Sequence, residues 1–181
     1  MKTYGFAENS SFLVSFSHNG LQLALGDGVI DLSSGKIVLT MDSYDVDFSP
    51  NDKFLFVEAG GEIKKYNLTN NSLSETIKPG FNPDDIKISP DGKFLAAGSS
   101  NGTKIMNLET NVIVMSFVGS AYSLAYSPDG KTLATNSGKV FNLETGETVH
   151  EFSYGNSVSF SPDGETLAIG GEIRNIGNYN N

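Results

Sequence analysis

The sequence predicts an all-β fold made of short, repeated antiparallel sheets. Three observations support this class: a recurring turn phrase, apolar residues at alternate positions on both sides of it, and no stretch with the apolar periodicity of a helix. In its clearest form the phrase is Ser-Pro-Asp-Gly, followed by a charged residue, one further residue, Leu and Ala. These copies span Ser89–Ala96, Ser127–Ala134 and Ser161–Ala168.

Two weaker copies complete the series, at Ser17–Ala24 and Ser49–Phe56. The serines that open the five copies stand 32, 40, 38 and 34 residues apart in chain order. A period in this range is typical of repeat architectures. We therefore expect five copies of one structural unit.

The third repeat shows how one unit folds. Residues 85–88 alternate polar and apolar, and in the turn that follows Pro90 presets φ, Asp91 can bond its own backbone and Gly92 accepts a positive φ. Asn101-Gly102 is a strong hairpin signal. The other strands of this repeat are predicted at 94–98, 103–108 and 112–117. Four strands in about 36 residues make one blade of a β-propeller.

The other repeats divide in the same way. The first predicts strands at 14–16, 21–25, 29–32 and 36–40, and the second at 46–48, 54–58, 62–68 and 73–77. The fourth predicts strands at 123–126, 132–135, 139–143 and 148–152, and the fifth at 157–160, 166–170 and 172–176. Gly92, Gly130 and Gly164 are predicted to need a positive φ, whereas Asp52 occupies the same place and is expected to tolerate change better.

The two ends of the chain complement each other. The fifth repeat lacks its outer strand, while Lys2–Phe6 has apolar residues at alternate positions and belongs to no blade. We expect this N-terminal strand to complete the fifth blade, giving five four-stranded blades in one domain over residues 1–181. The alternatives are that the chain is part of a larger ring, or that two copies assemble one.

The repeats resemble those of the WD-repeat family. In Gly98–Thr110 a glycine-serine turn leads to a strand that ends in a bulky apolar residue and an amide. The family's Trp-Asp position is held by Ile30-Asp31, Tyr66-Asn67, Met106-Asn107 and Phe141-Asn142. Tryptophan and the Gly-His dipeptide are absent, so the family's buried His-Ser-Asp-Trp tetrad cannot form. Bacterial propellers of the TolB and surface-layer types share the Ser-Pro-Asp-Gly turn. The resemblance is therefore to a WD-repeat-like superfamily, which implies a protein-binding scaffold.

Composition narrows the classes of partner. The net charge is −9 and the 12 basic residues are not clustered, which argues against nucleic acid and favours a basic protein or peptide. No apolar run approaches the ~20 residues that cross a membrane, and the apolar cluster at residues 12–14 is too short for a signal peptide. We expect a cytoplasmic protein that does not bind membranes.

A search for catalytic chemistry predicts none. His18 and His150 stand in different repeats without a partner at ligand spacing, and both are expected on the surface. The acidic run 42–47 lacks the glycine and final glutamate of a calcium loop. The sequence therefore predicts no catalytic residue, metal or cofactor, and we expect the protein not to be an enzyme.

One set of residues is typical of a binding face. The connections from the outer strand of one blade to the inner strand of the next should converge on one face, and they carry aromatic residues beside acidic and amide ones. We predict that partner contacts are made by Phe12, Asp42, Tyr44, Asp45, Phe81, Asp85, Tyr122 and Tyr154. The accompanying polar residues are Glu8, Asn9, Asn82, Asp84 and Asn156.

Two other interpretations of this face stay open. The aromatic residues could instead fill gaps between blades and hold the ring together. A small-molecule or glycan-binding propeller would need similar pockets in every blade, whereas the connections at 78–84 and 153–156 differ in length and composition. That divergence favours one asymmetric protein partner.

Deleting Lys2–Phe6 tests the predicted closure. Removing this strand should leave backbone groups of residues 172–176 unpaired, so we expect a lower melting temperature or self-association. Thermal denaturation and analytical ultracentrifugation measure these outcomes. A truncated protein that melts like the intact one and stays monomeric would show that the segment is not part of the fifth blade.

Overall fold

The computed structural model describes residues 14–177, which form nineteen β-strands in five antiparallel sheets. This confirms the predicted all-β class and the division into five propeller blades. Within the described range there is no helix with the length and apolar character that crossing a membrane requires. The strands are grouped in two compact units, Met1–Asn82 and Pro83–Asn181. A single domain over the whole chain stays a prediction.

The first unit contains two four-stranded sheets, each with its strands in chain order. The first sheet comprises β1 (Val14–Phe16), β2 (Gln22–Leu25), β3 (Gly28–Asp31) and β4 (Lys36–Thr40). The second comprises β5 (Asp45–Phe48), β6 (Phe54–Ala59), β7 (Glu62–Asn67) and β8 (Ser72–Ile77).

The second unit contains three sheets. The third sheet comprises β9 (Asp85–Ile88), β10 (Phe94–Ser99), β11 (Gly102–Asn107) and β12 (Val112–Phe117). The fourth comprises β13 (Leu124–Tyr126), β14 (Thr132–Thr135), β15 (Lys139–Asn142) and β16 (Thr148–Glu151). The fifth comprises β17 (Val158–Phe160), β18 (Thr166–Ile169) and β19 (Glu172–Asn175).

Every strand predicted within residues 14–177 is present, and its ends differ from the prediction by at most one residue. Four sheets have four strands and the fifth has three in the described range. The strand predicted at Lys2–Phe6 lies outside the described residues, so closure by that segment stays a prediction.

The cores lie where neighbouring sheets pack face to face. In the first unit Phe48 on β5 and Leu55 on β6 are almost completely buried, and they belong to one apolar cluster with Val29 of the first sheet. In the second unit the rings of Phe117 on β12 and Phe141 on β15 stack with centroids 4.0 Å apart. Burial is continuous on the second strands, over residues 55–58 of β6 and 95–99 of β10, because both faces of these strands are covered.

The position of the family's Trp-Asp pair has its own backbone feature. In four sheets the pairing of the third and fourth strands shifts register at this point. The shifts fall at Val29/Ile30, Lys65/Tyr66, Ile105/Met106 and Val140/Phe141. A β-bulge here lets the bulky residue remain in the core while the strand bends.

The residue after the bulge ends the third strand by capping a turn. The Asn107 side-chain oxygen accepts from the amides of Glu109 and Thr110 at 2.9 and 3.0 Å. Asp31 has the same role: the hydroxyl of Ser33 and the backbone and hydroxyl of Ser34 lower the pKa of that carboxyl to about 2. A short side-chain acceptor explains why Asn or Asp is found at this position.

Each Ser-Pro-Asp-Gly turn is closed by its own side chains. The Ser127 hydroxyl donates to Asp129 at 2.6 Å and accepts from the Thr132 amide at 3.0 Å. The Gly130 amide bonds the Ser127 carbonyl, and Gly130 has φ of 71°. The positive φ predicted for the turn glycines is confirmed, since Gly92 and Gly164 have values of 72° and 74°.

Neighbouring turns contact each other in two different ways. In the second unit a Cβ added at Gly130 would lie 3.5 Å from Pro90 Cδ, and Gly164 faces Pro128 in the same manner. In the first unit His18 stands in the proline position and Asp52 in the glycine position. Because a histidine retains its backbone N–H, Asp52 can accept from the amides of His18 and Asn19, both at 2.8 Å.

This contact corrects the expectation that Asp52 tolerates change. Asp52 has φ of 54°, so the alignment of the turns is right, but its carboxylate binds the preceding turn. We expect Asp52→Ala to lower the free energy of unfolding by about 2 kcal/mol, through the loss of two charge-assisted hydrogen bonds. Asp52→Asn should lower the free energy of unfolding by less, because one side-chain acceptor remains. Lys53→Ala is the control and should leave it nearly unchanged.

Gly130→Val should cost roughly 1 kcal/mol or more for a different reason, the strain of a β-branched residue at positive φ. Urea denaturation of these variants measures both effects. Wild-type stability in Asp52→Ala would show that the carboxylate does not hold the two turns together.

Candidate protein-binding face

Two connections in the second unit carry exposed aromatic residues. The first runs from β12 to β13 and the second from β16 to β17, and both lie at the end of the sheets opposite the Ser-Pro-Asp-Gly turns. Tyr122 is 47% exposed and Tyr154 is 61% exposed, and Val118 on the first connection is also largely exposed. Exposure of these tyrosines favours a role in recognition over one in packing between blades.

Asn136 joins the two connections although it is buried. Its side-chain oxygen accepts from the Tyr122 amide at 2.9 Å and the Ser123 amide at 3.3 Å. Its side-chain nitrogen donates to the Gly155 carbonyl at 3.0 Å, and its own carbonyl accepts from the Gly155 amide at 2.8 Å. The amide therefore fixes the backbone next to both tyrosines.

Close backbone approaches restrain the same connections further. A Cβ at Gly155 would lie 2.4 Å from the Gly170 nitrogen, and one at Gly98 would lie 2.6 Å from the Ala121 carbonyl oxygen. Only glycine fits such contacts without a shift of the backbone. A shallow recess of about 290 Å³ lies beside Tyr154 and is lined also by Asn156. The tyrosines are thus presented on a preorganised surface.

Asp85, which the sequence placed in the binding face, is buried. Its carboxylate accepts from the Leu124 amide at 2.5 Å and contacts the Lys87 amine at 2.7 Å. The corresponding residue of the next blade, Ser123, accepts from the Val158 amide at 3.3 Å. Asp85 therefore couples the third and fourth sheets, and the exposed carboxylate at this end of β9 is that of Asp84.

The predicted residues of the first unit also divide by exposure. Asp42 is exposed and the Tyr44 side chain is 69% exposed, while Phe81 is half-buried. Asp45 is buried at the start of β5, opposite Glu58 in the ladder. A partner could reach Asp42 and Tyr44 but not Asp45. Phe12 lies outside the described residues.

The histidines differ in their surroundings. His18 is exposed beside Asp52, as expected, with its Nδ1 atom 3.2 Å from the carboxylate. His150 is half-buried and stacks on Phe152, and burial lowers the pKa of its imidazole. Among residues 14–177, no group of three or more His, Cys, Asp or Glu side chains is placed to hold a metal ion.

Comparison of the chain with known families and solved structures agrees with the propeller fold. A family model described as "WD domain, G-beta repeat" matches residues 82–103, which contain β9 and β10. The match confirms the predicted resemblance to WD-repeat-like propellers, a class whose members generally mediate protein–protein interaction. No curated protein sequence matches the chain.

Solved structures show the same fold at low identity. One is "Kuenenia stuttgartiensis Hydrazine Synthase", with a TM-score of 0.71 and 22% identity over 90% of this chain. The match spans 58% of the length of that chain. Because 980 solved chains match, the fold by itself does not select one function.

Asn136 provides a test of this site. Asn136→Ala would leave the Tyr122 amide and the Gly155 carbonyl without their side-chain partner, so we expect a loss of about 2 kcal/mol or more in unfolding free energy. Asn156→Ala, an exposed amide on the same face, is the matched control and should change stability by less than about 0.5 kcal/mol. Equal stability of the two variants in urea denaturation would show that Asn136 does not organise the connections.

Proposed function

We propose that this protein is a non-enzymatic interaction module that binds a basic segment of a partner protein through the connections carrying Tyr122 and Tyr154. The observation that carries the proposal is the pair of exposed tyrosines on backbone held by buried Asn136. Rigid aromatic side chains give large contact area with little loss of conformational entropy on binding. A preorganised pair of this kind suits recognition of a protein surface.

Charge supports a basic partner. Asp84 is exposed at the start of β9 in the second unit, and Asp42 is exposed before β5 in the first. The protein carries a net charge of −9, so its field attracts cations over its surface. Arginine or lysine can stack on a tyrosine ring and pair with a nearby carboxylate.

The differences between blades support one asymmetric partner. Tyr122 stands five residues before its turn serine, while Asp84 and Asn156 hold the same place in the adjoining repeats. A ligand that bound each blade alike would need the same side chain at each position. We also propose, from the sequence alone, that the protein acts in the cytoplasm.

The test compares captured proteins and their affinities. Cross-linking in extracts of the native host should identify partners that wild-type protein retains and Tyr122→Ala/Tyr154→Ala loses. For a purified partner we expect affinity to fall by roughly 30-fold or more per tyrosine, since aromatic hot spots contribute ~2 kcal/mol or more each. Adding Tyr44→Ala tests whether the first unit contributes.

Matched controls separate binding from folding. Val112→Ala/Val149→Ala removes exposed apolar side chains from outer strands and should leave capture unchanged. Asp42→Lys/Asp84→Lys should slow association and weaken its dependence on salt. Tyrosine variants that bind as wild type, or that fail only because they melt far lower, would refute this face as the binding site.

A further inference from the structure

A groove lies between the third and fourth sheets at the end where the Ser-Pro-Asp-Gly turns are found. Its volume is about 630 Å³, within the size range of ligand-binding pockets. The apolar part of its lining comes from both sheets and consists of Phe94, Ile105, Val114, Met115, Tyr126 and Leu143. We call it the first groove. It is separated from the tyrosine-bearing connections by the length of the strands.

The rim of the first groove is negative. Asp91, Asp129 and Glu144 contribute carboxylates, and Lys131 is the one basic residue among those that line the groove. The Lys93 amine lies outside the lining, 3.6 Å from Asp91. A hydrogen bond from the Ser127 hydroxyl is the main cause that lowers the pKa of the Asp129 carboxyl. The Lys131 amine is 3.9 Å from Asp129 and neutralises only part of this charge.

A second groove of about 550 Å³ occupies the equivalent place between the fourth and fifth sheets. Thr132 stands there where the first groove has Phe94, because each follows its turn serine by five residues. His150 stands where the first groove has Met115. Met115 pairs with Ile105 on β11, and His150 pairs with Val140, the equivalent residue on β15. The fold thus accepts polar residues at both positions in the second groove, whereas Phe94 and Met115 are only partly buried against the apolar cluster beneath the first groove.

We propose that the first groove binds a short peptide segment of a partner protein that carries a bulky apolar side chain next to arginine or lysine. The apolar side chain would enter between Phe94 and Met115, where the flexible thioether adapts to its shape. The basic group would pair with Asp129 and Glu144 on the rim. This site is independent of the proposed tyrosine face.

The probes are three capped pentapeptides with the sequences Ala-Arg-Leu-Arg-Ala, Ala-Arg-Ser-Arg-Ala and Ala-Glu-Leu-Glu-Ala. Methyl NMR titrations of the full chain report on Ile105, Met115 and Leu143 in the groove. We expect the first peptide to shift these signals and to bind at least ~5-fold more tightly than either of the others, because only it matches both the lining and the rim.

Substitutions that copy residues of the second groove into the first groove test its lining. Phe94→Thr/Met115→His should weaken the first peptide by about tenfold or more through lost apolar contact. Glu144→Lys, at an exposed rim position, should weaken it while leaving the core untouched. Tyr122→Ala/Tyr154→Ala should bind it as wild type does, so failure of the tyrosine face and failure of the groove are distinguishable.

Three results would overturn the proposal. The groove methyl signals could fail to shift with the first peptide, or the acidic peptide could bind as tightly. Unchanged binding by both Phe94→Thr/Met115→His and Glu144→Lys would likewise exclude the groove. Should the double variant melt markedly lower than wild type, the Glu144→Lys titration alone decides the outcome.

Discussion

The hydroxyl of the serine that opens each turn is the interaction on which the blades depend. It accepts the amide that begins the second strand and donates to the aspartate or asparagine two residues on, as for Ser89 with Phe94 and Asp91 at 2.9 and 2.6 Å. Ser17, Ser49, Ser89 and Ser127 are buried. Since a buried amide without an acceptor is costly, this one hydroxyl sets where the first strand ends and the second begins.

The two ends of each blade consequently differ in how much their sequence and loop length can vary. At the turn end the repeated phrase restrains the backbone, and variation enters through neighbouring side chains such as Phe94 and Thr132 at one equivalent position. At the other end the connections vary in length, and single residues such as Asn136 restrain them. The two proposed binding sites can therefore differ in sequence independently of each other, since they lie at opposite ends of the same sheets.

The strands could be predicted from the sequence because their ends are set by turn residues and apolar alternation within a few positions. Asp85 was misjudged because its burial depends on the Leu124 amide of the following blade. The first groove escaped prediction since its lining comes from segments far apart in the chain. The role of Asn136 could have been predicted, because the adjoining repeats have Gly98 and Gly170 at the same position. An amide side chain in place of glycine indicates that the side chain makes a specific hydrogen bond there.

The contacts between successive turns also bear on how such a chain can evolve. A repeat whose turn carries proline can be followed by one with glycine, as Pro90 is followed by Gly130 and Pro128 by Gly164. The first repeat, with His18, is matched to Asp52 instead. Duplicating a repeat of the second unit beside its parent preserves a compatible junction, whereas placing the second repeat behind a turn with proline removes one of the two backbone donors of its aspartate, the amide that His18 supplies here. The residue in the second position of one turn and that in the fourth position of the next turn therefore have to be compatible, so a change at one restricts the choice at the other.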